Sequence, residues 1–361
     1  MTRPPLRLTF DINKTLNFVD SVKGETLEHA VTRMLCDTTW GYKRTSPDGT
    51  IAWEWDGQAP TMDRPQNWQS GDLRICYRDF LEEKFPGERK RQTKDQIKFH
   101  EPGQPGYYAM LTSFHTRYID ALKLSDQDRE KAKQIGLGDL LKESYFILPA
   151  FFKLLKYLRD SNREFSITFR TFGEDLKRVA TEFNAFCTGN HPLSHGFEMP
   201  EKCLLSSYML SFVRQDFEPR LTLLSGTDID FQCDPHILSH YRSQIVKSGV
   251  DEVLRFLNEI ASKGKTLGIR DMFDYWKLHN REVTAGKPCY VDMSGKNHHT
   301  IFFDDNVKEN DAYIVDMRDE TTGEPLPFSE TNGVFLVRVV PFEMLLDENY
   351  YIKCLEDCEE N

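Results

Sequence analysis

Three short apolar stretches of the sequence end in polar residues of the kinds that bind metal ions and phosphate. The stretches are "LTFDIN", "SITFRTFG" and "TIFFDDN", and their polar members include Asp11, Asn13, Thr171, Asp304 and Asp305. Close carboxylates repel each other unless a cation neutralises them, and their hard oxygen atoms suit magnesium. If the three ends lie together, the sequence predicts a site that binds Mg²⁺.

The second stretch adds groups that favour an anion. Thr171 brings a hydroxyl, and Gly173 opens a helix predicted over 174–187, whose free N–H groups attract negative charge. A divalent cation, a carboxylate nucleophile, a hydroxyl and a helix N-terminus together indicate phosphoryl transfer.

The elements that must position these residues are strands alternating with helices. Apolar spacing predicts strands over 6–10, 164–169 and 299–306, and helices over 25–36, 144–160, 174–187 and 250–262. Such alternation is typical of an α/β fold, with a parallel sheet and helices on both of its faces. Functional groups in these sheets lie at the carboxyl ends of the strands, so the three polar ends are expected at one edge.

Composition limits the classes of partner. The chain has 361 residues and a formal net charge of -11, which argues against nucleic acid or an anionic membrane as its main partner. No apolar run approaches the roughly 20 residues that span a bilayer. The start, "MTRPP", carries no apolar signal segment, so a cytoplasmic location is expected.

The three stretches resemble the first, second and fourth motifs of the haloacid-dehalogenase superfamily. The resemblance implies an α/β fold with a three-layer parallel sheet, a Rossmann-like core and a large inserted cap domain. We therefore expect a discontinuous core over 1–37 and 141–345, with a possible small insertion at 188–262. The segment rich in glycine, proline and tryptophan would form the cap over 38–140, and 341–361 would form a C-terminal helix.

The resemblance also implies a role for each matching residue. Asp11 corresponds to the nucleophile that forms an aspartyl-phosphate and also binds Mg²⁺. The backbone carbonyl of Asn13 would face the metal, and Thr171 would hold a phosphate oxygen. Asp304 would bind the metal directly, and Asp305 would bind it directly or through water.

The lysine of the third motif has two candidates. A helix predicted over 269–280 precedes the third strand, and its start near the site favours Lys265. The context "GKP" resembles that of the family lysine and favours Lys287, although this residue follows the predicted helix. The lysine would neutralise the nucleophile and the transferred phosphoryl group.

Asn13 leaves two functions open. Most phosphatases of this family carry an aspartate two residues after the nucleophile, where it protonates the leaving oxygen and then deprotonates water. An amide cannot do either, and such catalysis contributes about 10²–10⁴-fold to rate. The sequence predicts a Mg²⁺-dependent phosphatase, weak in turnover, that acts on a small phosphorylated metabolite. The alternative is a catalytically inactive or regulatory protein that binds a phosphorylated ligand.

Overall fold

The chain divides into two compact units. The computed structural model describes residues 3–18, 26–63, 65, 74–97, 107–205, 209–215, 218–223 and 245–361. One unit comprises Met1–Phe18 and Leu124–Asn361, and the other, Val19–Lys123, is inserted into its sequence. The inserted unit begins earlier than the predicted 38–140, because the helix predicted over 25–36 belongs to it. It also ends earlier, because the helix Asp126–Gln134 belongs to the larger unit.

An eight-stranded sheet forms the centre of the larger unit, as far as the described residues show. In spatial order its strands are β13 (Leu336–Arg338), β11 (His299–Asp304), β1 (Leu6–Asp11), β5 (Phe165–Thr171), β9 (Leu267–Asp271), β6 (Met209–Gln215), β7 (Glu218–Leu223) and β8 (Ile245–Ser248). Neighbours from β13 to β6 pair in parallel, and β7 and β8 add an antiparallel edge. The prediction of an α/β fold with a mostly parallel sheet is confirmed.

Helices cover one face of this sheet. They are α6 (Pro149–Asp160), α7 (Leu176–Cys187) and α12 (Tyr350–Glu360). The ring of Phe10 on β1 lies 5.0 Å from that of Phe151 and 5.4 Å from that of Tyr351, each edge to face. Phe169 on β5 meets Phe183 at 5.2 Å. The alternate apolar positions of the strands therefore bury aromatic rings against the helices.

A helix and a second, smaller sheet cover the opposite face. The helix is α8 (Val250–Ser262), and the small sheet pairs β10 (Lys287–Val291) in parallel with β12 (Val315–Asp319). Phe302 of β11 is fully buried in one apolar cluster with Val291 and Met317 of the small sheet. The main sheet is thus the middle of three layers.

Three sequence predictions about this unit are wrong. Residues 269–280 are not one helix: β9 ends at Asp271, and the short helix α9 (Phe273–Leu278) follows it. The segment 188–262 is not a separate insertion, because β6, β7 and β8 pair within the main sheet. The chain ends in two helices, α11 (Pro341–Leu346) and α12, rather than one. Helices α5 (Asp126–Gln134) and α10 (Phe328–Thr331) complete this unit's described α-helices.

The inserted unit combines an antiparallel sheet with helices. Its elements are α1 (Leu27–Thr38), β2 (Trp40–Thr45), β3 (Ile51–Trp55), β4 (Arg74–Cys76), α2 (Tyr77–Lys84), α3 (Arg89–Ile97) and α4 (Tyr107–Leu122), with β2 central in the sheet. Phe80 of α2 and Phe85, the residue directly after α2, pack with Ile75 and Trp53. The indole of Trp53 donates to the Ile75 carbonyl at 3.0 Å, which joins β3 to β4 across the sheet.

No helix in the described ranges combines the length and the apolar character that crossing a bilayer requires.

Candidate active site

Three aspartates meet at the carboxyl edge of the main sheet. Strand β1 lies between β5 and β11, and Phe10 is in register with Phe303, so Asp11 and Asp304 end their strands at the same level. One carboxylate oxygen from each of Asp11, Asp304 and Asp305 lies within 4.8 Å of the others. The parallel strands therefore bring together residues that are about 290 positions apart in the chain.

A buried lysine lies between two of these carboxylates. Lys287 Nζ is 2.5 Å from Asp11 Oδ1 and 2.7 Å from Asp304 Oδ2, and its side chain is 1% exposed. Burial alone would lower the pKa of Lys287, but the two carboxylates outweigh it and hold that pKa above its ordinary value. The ammonium also lies 5.3 Å from the centre of the Phe172 ring. Lys287 is therefore a charged residue at the centre of the cluster.

Lys265, the other candidate, lies elsewhere. It comes two residues before β9, so it lies at the amino edge of the sheet, away from Asp11. The expectation that placed it near the site relied on a helix over 269–280, and the strand β9 occupies the start of that range. A parallel strand begins at the edge opposite to the one where its neighbours end. The structure brings Lys287 to the aspartates and leaves Lys265 away from them.

Two buried arginines hold the start of β10, where Lys287 lies. Arg170 on β5 forms a bidentate pair with Asp271, at 2.9 and 2.5 Å, and donates to the carbonyl of Pro288 at 2.9 Å. Arg214 on β6 pairs with Asp316 at 2.8 Å and also donates to the Thr284 carbonyl. Bidentate pairing fixes geometry as well as charge. These contacts fix the backbone on both sides of Lys287.

A second group of polar atoms surrounds Gly173, just after β5. A methyl group placed on Gly173 would lie 3.2 Å from Asp175 Oδ2, 3.3 Å from Thr171 Oγ1 and 3.5 Å from Asn13 Nδ2. The amide of Asn13 donates to Asp175 Oδ2 at 3.2 Å, and the Gly173 N–H donates to Thr171 Oγ1 at 2.8 Å. A larger residue at this position would crowd Asp175 and Thr171, so glycine leaves room for the three side chains to approach each other.

Asp175 is a site residue that the sequence reasoning did not select. It occupies the N-cap position of α7, where an aspartate ordinarily accepts a hydrogen bond from a backbone N–H of the first turn. Its side chain makes no such bond, is buried, and accepts from Asn13 instead. The available signal was its position four residues after Thr171, at the start of the predicted helix.

The third strand end is held by a neighbouring loop. The Asp305 N–H donates to Thr15 Oγ1 at 3.0 Å, and Asn306 donates its backbone N–H and its amide to Asp304 Oδ1. Burial and the charge of Asp304 raise the pKa of Asp305 to about 7. Burial, opposed in part by Lys287, raises the pKa of Asp11 well above its usual value.

This donor set fits a hard divalent cation. Three carboxylate groups converge, and their hard oxygen atoms are the ligands that Mg²⁺ prefers. Burial, together with the charge of Asp304, raises the pKa values of Asp11 and Asp305. Asp11, Asp304 and Asp305 are the residues that could hold Mg²⁺. A metal-binding role for the Asn13 carbonyl stays a prediction.

No family model, no curated protein and no solved structure matched this chain. Its functional assignment therefore depends on the geometry of its own residues.

Proposed function

We propose that this chain is a Mg²⁺-dependent phosphohydrolase of the haloacid-dehalogenase type that acts on a small phosphorylated metabolite. The observation that carries the proposal is Lys287, buried and charged, within 2.7 Å of both Asp11 and Asp304. A structural ion pair needs one carboxylate for each ammonium. Two carboxylates on one lysine, with Asp305 beside them, form a site that has capacity for a further cation.

Asp11 is the proposed nucleophile. One of its oxygens attacks phosphorus, the bond from phosphorus to the ester oxygen breaks, and an aspartyl-phosphate forms. Lys287 offsets the charge of Asp11 and of the phosphoryl group during this step. Thr171 donates its hydroxyl to a phosphate oxygen. Mg²⁺ held by Asp11, Asp304 and Asp305 would neutralise charge on the phosphoryl oxygens.

Asp175 is the proposed group for proton transfer. Asn13 cannot exchange a proton, but its amide holds the Asp175 carboxylate beside Thr171 and Gly173. In the second step Asp175 accepts a proton from the water that attacks the phosphorus atom, and the bond from phosphorus to Asp11 breaks. The proton that Asp175 gains is the one that the leaving oxygen needs in the next turnover.

Asn13 also favours a second function. If Asp175 does not reach the leaving oxygen, the site binds a phosphorylated ligand and turns it over slowly or not at all. The chain would then be a binding or regulatory protein with the same arrangement of Asp11, Lys287 and Asp304.

Assignment of the inserted unit Val19–Lys123 as a cap is part of the first proposal. It rests on the position of the insertion between β1 and β5 in the chain.

The test is phosphate release from a panel of phosphorylated metabolites and an aryl phosphate, with and without Mg²⁺. Asp11→Asn keeps the size of the side chain and removes the nucleophile, so it should abolish release. Asp139→Asn is the matched control, because this carboxylate is fully exposed and pairs only loosely with Lys142 at 3.7 Å. Turnover that persists in Asp11→Asn contradicts the nucleophile assignment. Binding of orthophosphate without turnover of any substrate supports the second function.

A further inference from the structure

A second cluster of metal-ligating side chains lies at the carboxyl end of the small sheet. Asp292 directly follows β10, Glu320 directly follows β12, and the Glu320 N–H donates to the Val291 carbonyl at 3.0 Å. His298 directly precedes β11. One ligand atom from each of Asp292, His298 and Glu320 lies within 4.8 Å of the others.

His298 is the observation that points to a ligand. Its side chain is 2% exposed, and within the described ranges neither ring nitrogen has a partner in hydrogen-bonding geometry. Its Nε2 is 3.3 Å from Glu320 Oε2, an oxygen that also lacks a partner in that geometry. Burying an imidazole and a carboxylate oxygen without hydrogen bonds is costly unless a further group satisfies both.

The third ligand is already oriented. Asp292 Oδ1 accepts from the backbone N–H and the hydroxyl of Ser294 at 2.9 and 2.5 Å, and Oδ2 accepts from the Asn297 N–H at 2.9 Å. Hydrogen bonds of this kind to a carboxylate fix its direction, as they do around ligands in known metal sites. Arg7 Nη1 lies 3.9 Å from Glu320 Oε2 and donates to Asn258 Oδ1 at 2.6 Å.

One of the three ligands, His298, lines a cleft. His298, Asn297 and Arg7 line a cleft of about 580 Å³ at the amino edge of the main sheet, together with residues that begin β1 and β5. His298 directly precedes β11 and Asp304 is its last residue. At about 3.3 Å of rise per residue, the strand therefore separates this cluster from the candidate active site by roughly 20 Å. One ion cannot serve both clusters.

We propose that Asp292, His298 and Glu320 bind a divalent transition-metal ion, with zinc or manganese as the class that fits best. One imidazole nitrogen and two carboxylates suit these ions, whereas Mg²⁺ and Ca²⁺ prefer oxygen ligands alone. Ligand bonds of about 2.0–2.2 Å allow two ligands to lie up to about 4.4 Å apart, so small side-chain rotations complete the site. The site is independent of the proposed phosphohydrolase activity.

Mn²⁺ electron paramagnetic resonance on the whole protein tests the proposal directly. The protein is given excess Mg²⁺ to occupy the candidate active site, and then one equivalent of Mn²⁺. Electron spin-echo modulation should show a directly bound ¹⁴N, because His298 is a ligand here, while Asp11, Asp304 and Asp305 offer only oxygen. Wild-type protein without a ¹⁴N coupling would overturn the proposal.

Equilibrium dialysis against Zn²⁺, with excess Mg²⁺ present, gives the second measurement. His298→Gln and Glu320→Gln should each weaken the binding of one Zn²⁺ by about 10–100-fold or more. His299→Gln is the matched control: this neighbouring ring bonds the Val334 carbonyl at 2.8 Å and lies outside the cluster. Circular dichroism establishes that each variant is folded. Equal Zn²⁺ binding by folded wild type and folded His298→Gln counts against the site.

Discussion

Two pairs of parallel strands in the larger unit each bring two carboxylates together at their carboxyl ends. Strands β1 and β11 do so with Asp11 and Asp304, and β10 and β12 do so with Asp292 and Glu320. The first pair has a buried ammonium within 2.7 Å of both carboxylates. The second has a buried imidazole without a hydrogen-bond partner in the described structure, and an arginine 3.9 Å from one carboxylate.

The two clusters differ in the basic side chain that lies beside the carboxylates, so the same strand topology creates two kinds of site. In the first cluster, Lys287 hydrogen-bonds both Asp11 and Asp304 and offsets part of the negative charge of the three carboxylates. In the second cluster charge and hydrogen-bonding capacity are left over, as in a site that is completed by an ion. Strand β10 contributes to both, because Lys287 is its first residue and Asp292 directly follows its last.

Removing the buried ammonium group of Lys287 should have the largest effect on stability. Lys287→Met leaves Asp11 and Asp304 buried without their partner, and we expect the free energy of unfolding to fall by about 3–5 kcal/mol at neutral pH. Urea denaturation measures the change. Lys265→Met is the matched control and should cost less than about 1 kcal/mol, because Lys265 lies away from the aspartates and is partly exposed. Similar losses in the two variants would mean that Lys287 does not neutralise the cluster.

Proton transfer at the candidate active site should depend on Asp175. Asp175→Asn should lower phosphate release at saturating substrate by at least about 10²-fold, because an amide cannot accept a proton from water. Asn13→Asp alone would place two carboxylates at the 3.2 Å distance that the hydrogen bond now spans, so it should not raise the rate.

The exchange of the two side chains sharpens this test. Asn13→Asp combined with Asp175→Asn restores one carboxylate and one amide, and it should recover more activity than either single change. A single Asn13→Asp that is faster than wild type would show that Asn13 itself limits the rate and that Asp175 does not transfer the proton.

A smaller effect is expected at the glycine that precedes Lys287. A methyl group on Gly286 would lie about 2.1 Å from the Ile314 carbonyl oxygen, the acceptor of the Lys287 N–H. Gly286→Ala must therefore shift β10 away from β12, at a cost of about 1–3 kcal/mol in unfolding free energy. Because β10 carries Lys287, Mg²⁺ affinity measured by calorimetry should fall as well. Unchanged stability and affinity would show that the start of β10 tolerates displacement.

The smallest effect is expected in the loop of the second cluster. Gly295 has φ +62° and open space around its Cα, so Gly295→Ala meets backbone strain and no clash. We expect a loss of about 1 kcal/mol, since a left-handed conformation disfavours alanine by roughly that amount. Thermal unfolding of Gly295→Ala and Gly286→Ala side by side measures the contrast. A greater loss at Gly295 than at Gly286 would contradict the expectation that the clash at Gly286 costs more than the backbone strain at Gly295.

Local sequence pattern was sufficient to predict much of the first site. Short apolar strands that end in polar residues placed Asp11, Thr171 and Asp304 at strand ends, and the alternation of strands with helices predicted the parallel sheet. Parallel strands share a carboxyl edge, so convergence of the aspartates followed from pattern and topology alone. The helix over 250–262 was predicted with the bounds that the structure has, Val250–Ser262, because its apolar spacing is regular.

The tertiary structure alone decided which other residues join these strand ends. Apolar spacing could not distinguish a short buried strand at Leu267–Asp271 from the start of a helix. A helix start in this range would have placed Lys265 near the site. Lys287 reaches Asp11 because a second sheet packs on the face of the first, and Asp175 turns from its helix to Asn13 because Gly173 leaves room. Sequence periodicity indicates which face of an element is buried and where the element ends. Contacts between elements that are remote in sequence depend on how the layers pack.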